Sequence, residues 1–148
     1  MDMNTAKSIL NFDGYSVDSI RFVKKEIELK EGEVVDLDHS FSREIQCDQE
    51  SKEYTVTLGI EIGTAKDSKM PFELTLEISG HFSIDANDLA NSDILIKQNT
   101  VAILFPYLRA LITNITSNAN VSPIFLPTLN IAKLFEDNEK KPGPLVSE

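Results

Sequence analysis

What this sequence lacks narrows its function before any pattern is read. The one cysteine, Cys47, cannot close a disulfide within the chain, and no cationic neighbour in sequence would activate it, so a buried, inert thiol is expected. Only two histidines are present. His39 stands on the opposite strand parity to Asp36 and Asp38, which is poor geometry for a shared metal, and His81 sits beside Gly80 at an expected strand kink; a structural or surface role is expected for both. The run Asp85, Asn87, Asp88 opens like a calcium loop, but Leu89 stands where an oxygen ligand is needed and Ala90 where glycine is needed. With no glycine-rich phosphate loop and no nucleophile elbow, the chain is expected to be no enzyme and to hold no metal or cofactor. Positive charge is also short. Against 24 Asp and Glu there are 14 Lys and Arg, a net charge of −10 that argues against nucleic acid as a partner and makes basic peptides or basic protein surfaces the better electrostatic match. Long apolar runs are missing too: residues 1–13 offer only Ile9 and Leu10 as an apolar pair, too little for a secretory core, and the longest apolar run, about twelve residues from Val101, contains Pro106 and Arg109. No membrane insertion is expected, and a cytoplasmic location is.

What is present is mostly alternation. At 148 residues the chain can form one domain that buries roughly 70% of its unfolded surface. Residues 1–13 carry little pattern and are expected to form a flexible arm, 14–137 a single domain, and 138–148, charged and holding Pro142, Gly143 and Pro144, a disordered tail. From Tyr15 to Leu29 apolar residues alternate but change parity twice, the mark of a bulge or of a strand covered on both faces. Val35, Leu37, His39, Phe41, Arg43, Ile45 and Cys47 then share one parity. Tyr54, Val56, Leu58, Ile60 and Ile62 share another, as do Phe72, Leu74, Leu76, Ile78, Phe82 and Ile84. Joined by short turns, the four segments predict an antiparallel meander with one apolar face.

The densest apolar stretch, Thr100–Phe135, follows a loop expected over residues 85–98. Val101, Leu104, Phe105, Leu108, Ile112 and Ile115 have helical spacing, widened by Ile103, Ala110 and Leu111, with Asn99 as the expected N-cap, Pro106 as a kink or an early position, and Asn118–Asn120 as the stop. A helix this apolar must be covered on more than one side, so one side is assigned to the chain's own sheet and another to an identical subunit. In the linker Ser122–Pro127, Ile124, Phe125 and Leu126 lie between two prolines as an apolar strip without a sheet pattern. A short second helix is expected over Asn130–Asp137, with Ile131, Leu134 and Phe135 on one side. The fold class is α+β: a four-stranded antiparallel sheet with one long and one short C-terminal helix packed on one face.

Ile103–Arg109 reads ILFPYLR and Leu129–Phe135 reads LNIAKLF. Together they resemble the SecB family of export chaperones, whose long helix carries an ILFPYAR signature ahead of a Pro-rich apolar linker and a VNFDALF-like second helix. Asp36–Asp38 is similar to the family's LDLD, Tyr54–Leu58 to its YEVVL, and Gly80–Ile84 to its GGIFSI. The resemblance spans residues 14–137 and implies a homotetramer assembled as a dimer of dimers, without cofactor or ATPase activity. It implies that Leu108, Arg109, Ile112, Ile115 and Thr116 lie at the subunit interface. It further implies that client chains lie along Val35, Leu37, Phe72, Leu74, Val121, Ile124, Phe125, Leu126, Leu129 and Ile131. For Phe72 and Leu74 ordinary core packing competes with that role. The expected function is an ATP-independent holdase for unfolded polypeptides or preproteins, serving export. Alternatives are a dedicated chaperone of one partner such as an antitoxin, as in some relatives, and a structural or adaptor oligomer that binds a folded protein. The chain departs from the family at Ser19 and Val23, where acidic residues otherwise contact SecA. Asp18 is adjacent and is expected to point to the other face. Asn118 and Ala119 replace the RG that closes the family's long helix, and Ser122 replaces the first proline of the linker.

Overall fold

A computed structural model describes residues 10–28, 30–48, 50–84, 95–127, 130 and 133–135. Four antiparallel strands, β1 (Leu10–Lys24), β2 (His39–Asp48), β3 (Glu53–Ile62) and β4 (Phe72–Ile84), lie in the order β1-β4-β3-β2. The even-numbered residues of β3 and β4 set the core: Val56, Leu58, Leu74, Leu76 and Ile78 are wholly inaccessible. The alternation that reveals these strands is therefore also what buries them. A long helix, α1 (Thr100–Asn118), packs across β3 and β4. Its buried stripe, Thr100, Leu104, Leu108, Ile112 and Thr116 with Val101 and Phe105, repeats every four residues. Gly80 lets the helix come close: a β-carbon there would stand 2.6 Å from Leu104 Cδ2.

The antiparallel sheet and long helix match expectation, but the strand order does not follow a simple meander. β1 pairs with β4 rather than β2, so a connection over residues 25–38 crosses the end of the sheet from one edge to the other, a Greek-key path. Backbone bonds fix this crossing at both ends: Lys25 N–H donates to Pro71 O (2.8 Å), and Gly63 N–H donates to Asp38 O (3.1 Å). Val35 and Leu37, whose parity extended the second alternation, lie on this crossing and not in β2.

β1 also starts earlier than the pattern indicated. Residues 10–13 belong to the strand and not to an arm; Leu10 is buried, and the Phe12 ring lies 5.2 Å from Phe82. Residues 1–9 lie outside the described residues. Register shifts at Phe12/Gly14 and Val17/Ser19 are the bulges that the parity changes called for.

Other expectations are corrected in detail. Asn99 has helical backbone angles and makes no capping bond, because the helix is entered through a π turn, Leu95–Asn99. Pro106 lies inside α1 on its exposed side, as does Ala102, whose carbonyl a residue with N–H at that position would have bonded. Cys47 is exposed near the end of edge strand β2. Ile96–Asn118 has the length and apolarity of a membrane crossing, yet Leu104, Leu108 and Ile112 are fully buried within the fold, which makes it a core helix. Most of the 85–98 loop and the 138–148 tail lie outside the described residues. Of the expected second helix, Lys133–Phe135 is described and is helical.

Candidate functional site

After α1 the chain reverses at Asn120, which has a positive φ of 61°, and runs back as an extended strip. Two threonine hydroxyls hold it. Thr116 Oγ1 donates to Ile112 O (2.9 Å) and accepts the Ile124 N–H (2.9 Å), while Thr113 Oγ1 donates to Ile124 O (2.8 Å). Both backbone groups of Ile124 are thus satisfied, and the extended geometry sets its neighbours on alternate sides. Leu126 turns in and is buried, whereas Phe125 turns out and is 74% exposed. A hydrophobic side chain so displayed on a pinned backbone is an unusual surface feature.

The far end of the strip leads to Phe135, which is buried against Arg43. Arg43 sits on the apolar parity of β2 with 4% exposure; its Nη1 donates to Lys97 O (2.7 Å), and its guanidinium lies 4.5 Å from the Phe135 ring centroid. Two contacts thus hold the described residues here, the threonine clamp on Ile124 and the Arg43–Phe135 contact.

Between the linker and the crossing lies a groove of ≈ 920 Å³ whose lining includes Val35, Leu37, Met70, Phe72, Val121, Ile124 and Phe125. On the other side of Phe125 is a cleft of ≈ 360 Å³ against α1, lined by Pro106, Arg109, Ala110, Thr113, Asn114, Phe125 and Leu126. Phe125 is a ridge between the two. Such a groove offers apolar area with few directional polar groups, and it suits an extended segment of unspecified sequence.

Asp38 organises the wall opposite the linker. Its carboxylate accepts hydrogen bonds from Ser68 Oγ and from Ala65 N–H (3.1 Å), and Ser68 in turn receives Met70 N–H (3.1 Å). Partial burial pushes the Asp38 carboxyl up, but the bonds from Ser68 and the backbone, with Lys25 nearby, together outweigh this and leave it below its ordinary value. Lys25 Nζ donates to Gly63 O (2.7 Å), and Lys69 pairs with Glu33 at 2.6 Å, so hairpin and crossing are joined at several points. A carboxyl with a depressed folded pKa contributes stability above its unfolded pKa of about 3.9 and loses it as pH falls through the folded value. Asp38→Asn is therefore expected to lower stability by about 1–2 kcal/mol at pH 7. Chemical denaturation at several pH values checks this: the wild-type advantage should persist to about pH 4 and disappear below it.

The structure brings together Val35, Leu37, Phe72, Val121, Ile124 and Phe125 of the client-binding residues expected from the sequence. Leu74 is wholly buried in the core, on β4 between Phe22 of β1 and Ile62 of β3, and cannot touch a client, and Leu126 faces the smaller cleft. Leu129 and Ile131 lie outside the described residues. Of the expected interface residues, Leu108, Ile112 and Thr116 are fully buried inside the protomer because they continue the stripe that the sheet requires; Arg109 and Ile115 remain half-exposed. The sequence reading missed a second apolar strip. Since α1 packs mainly on β3 and β4 and touches β1 through Tyr107, the helix-facing residues Tyr15, Val17 and Ile20 of β1 stay 43%, 43% and 51% exposed, next to Tyr107 at 40%. The rings of Tyr15 and Tyr107 are 4.6 Å apart. The signal available in sequence was the dense apolar content of a strand destined for a sheet edge.

Asp18 overturns one further expectation. As the extra residue of the second bulge it turns to the face away from α1, where Ser79 Oγ and Ser16 Oγ (3.1 Å) donate to it. It thus shares the outer face with Ser19 and Val23, each of which opposes an outward glutamate of β4, Glu77 and Glu73.

Comparison with known proteins gives three results. A family profile described as preprotein translocase subunit SecB matches residues 28–142. An uncharacterised protein of Methanocaldococcus jannaschii is 35% identical over 136 residues, covering 90% of this chain and 87% of that protein; the protein-export protein SecB of Ehrlichia canis is 26% identical over 96 residues, covering 60% and 54%. Among solved structures, the SecB-like chaperone of Mycobacterium tuberculosis in complex with a peptide from the HigA1 antitoxin superposes with a TM-score of 0.66 at 12% identity, covering 81% of this chain and 90% of that one.

Proposed function

The chain belongs to the SecB family, a family of chaperones, and from that premise we propose that it is an ATP-independent holdase that keeps polypeptides unfolded in the cytoplasm, for export. The observation that carries this reading is Phe125, held out between two apolar clefts by a hydrogen-bonded backbone. Apolar area supplies affinity at about 25 cal/mol per Å² before ordering costs, and it does so without demanding a sequence. No step of this activity needs a catalytic group or a cofactor. The test is stoichiometric: added to several unrelated unfolding proteins without ATP, the chain should suppress light scattering at ratios near one oligomer per client, and protection of none would sink the reading.

Self-association is part of the proposal. The strip of Tyr15, Val17, Ile20 and Tyr107 beside the open edge of β1 is suited to a second copy, and Ile115 and Arg109 on α1 to the contact that pairs two such dimers into a tetramer. Several grooves on one assembly then hold one client by avidity. Native mass spectrometry should show a stable oligomer. Ile20→Asp should reduce its mass to that of a smaller assembly with the circular dichroism spectrum unchanged, whereas a stable wild-type monomer would contradict the assignment.

A second reading, a dedicated antitoxin chaperone, is supported by the solved relative that carries an antitoxin peptide. The same scattering assay separates the two, since a dedicated chaperone protects one client and not the panel. The family's usual acidic contacts with SecA are missing at Ser19 and Val23; a SecA contact on this chain would fall instead to the carboxylates of Asp18, Glu73 and Glu77 on the same outer face.

A further inference from the structure

Resting on the reading of the groove as a client site, we propose that the chain also holds its clients by their backbone: Phe125 N–H and C=O pair with one residue of an extended polypeptide in antiparallel register, and Thr113 is the positioning residue that presents them. The premise lies in how the two backbone edges of the linker are used. Toward α1, Ile124 spends both its groups, its N–H on Thr116 Oγ1 (2.9 Å) and its C=O on Thr113 Oγ1 (2.8 Å). In an extended strip the groups of successive residues point to opposite edges, so those of Phe125 point away from α1, to the side on which the groove lies. Neither the N–H nor the C=O of Phe125 has a hydrogen-bond partner among the described residues, and the residue is 74% exposed. A donor and an acceptor on one residue, side by side at the rim of an apolar groove, are what a strand edge offers an incoming strand.

Two prolines limit this edge to one rung. Pro123 and Pro127 stand two residues before and after Phe125, hence on the same edge, and neither has an N–H. Phe125 therefore carries the only donor of that edge between residues 123 and 127. A long edge with a full row of donors would pair with another copy of the linker. One this short cannot build such a ladder, but it takes one residue of a guest whose side chains already fill the groove. That division suits a client of unspecified sequence: apolar side chains supply the area, and every residue except proline supplies the same N–H and C=O. The occupant is an extended chain and not a helix, whose backbone groups are already spent within it. Geometry also sets which client residues pair. In an antiparallel pair, residues directly opposite one another put their side chains on the same face, so the residue opposite Phe125 points outward with it and its neighbours point into the groove.

The experiment uses the full chain and capped peptides in which leucine and glutamine alternate, so that the leucines enter the groove and the glutamines point outward. One peptide is unmodified, one is N-methylated at every glutamine and one at every leucine; fluorescence anisotropy reads the affinities. N-methylation removes a donor without changing the side chain. The glutamine-methylated peptide is expected to bind about ten-fold more weakly than the unmodified one, and the leucine-methylated peptide within about two-fold of it. Equal effects of the two methylations, or a larger loss on the leucine-methylated peptide, would overturn the backbone pairing and leave the holdase reading standing. Thr113→Val keeps the side-chain shape but releases the Ile124 C=O, and should cut the difference between the methylated peptides to about three-fold or less, whereas Thr113→Ser should preserve it. An unchanged difference in Thr113→Val, or its loss in Thr113→Ser, overturns the role of that threonine; the wild-type series decides the pairing even where the valine variant fails to fold. Failure of the unmodified peptide to bind would overturn the groove reading itself, and the pairing with it.

Discussion

Phe125→Asp is expected to weaken binding of an unfolded polypeptide by about 30- to 100-fold per groove while leaving the fold and the oligomer intact. A phenylalanine offers 150–250 Å² to a partner, roughly 4–6 kcal/mol gross at about 25 cal/mol per Å², of which ordering costs leave about half. Aspartate removes that area and adds a charge that the client must desolvate. Stability should change by less than about 0.5 kcal/mol, because Phe125 is 74% exposed and the bonds that hold the linker run through the backbone of Ile124. Three measurements decide the matter together: client affinity, melting temperature and native mass. Dissociation of the oligomer by this substitution would place the linker at a subunit contact instead.

The largest loss of stability is expected from Gly63→Ala. Gly63 ends the β3 side of the hairpin with φ +77°, and a β-carbon there would stand 2.1 Å from Phe72 O and 3.2 Å from Met70 Cβ. Backbone cannot step aside as a side chain can, and Gly63 is also tied at both its polar groups, donating to Asp38 O and accepting from Lys25 Nζ. Strain and clash together should cost roughly 2–4 kcal/mol, about 6–12 °C in melting temperature for a chain of this size. Gly32 supplies the control. It has a similar φ, +79°, but nothing within 4 Å of its would-be β-carbon, so Gly32→Ala should cost only about 1 kcal/mol. Since Met70 and Phe72 line the groove, Gly63→Ala should also weaken client binding, whereas Gly32→Ala should not. Equal melting shifts for the two variants would show that the close approach to Phe72 is absent in solution.

How much was legible in the sequence differs by element for physical reasons. β3 and β4 announce themselves because each has one face against α1 and the other in water, and alternation is the direct record of that. β1 is harder to place. Its two bulges shift the parity, and its apolar residues Tyr15, Val17 and Ile20 stay exposed on the helix side, so pattern alone placed the strand five residues late and beside the wrong neighbour. Strand order depends on a crossing whose decisive bonds, Lys25 to Pro71 and Gly63 to Asp38, are backbone contacts with no signature in side-chain type. The helix stripe was visible, but not its division of labour. Thr116 and Ile112 share a periodicity with Ile115, and only packing shows that the first two are spent on the chain's own core. The groove was readable at Phe125 and its neighbours because apolar residues between prolines have no local reason to be there. Arg43 and Asp38 were not, since a buried arginine under Phe135 and a carboxylate that organises a distant hairpin arise only when separated segments meet.

The central claim is that an unfolded client lies in the groove beside Phe125 and not on the outer face of the sheet. Site-specific photo-cross-linking tests it directly, with a photoreactive phenylalanine placed in turn at Phe125, Val121 and Leu37 around the groove and at Ser42 and Glu44, which are exposed on the other face. The account predicts client cross-links from the first three positions, lost on competition with a groove-binding peptide, and none above background from the last two. Cross-links of equal yield from Ser42 and Glu44 would contradict it.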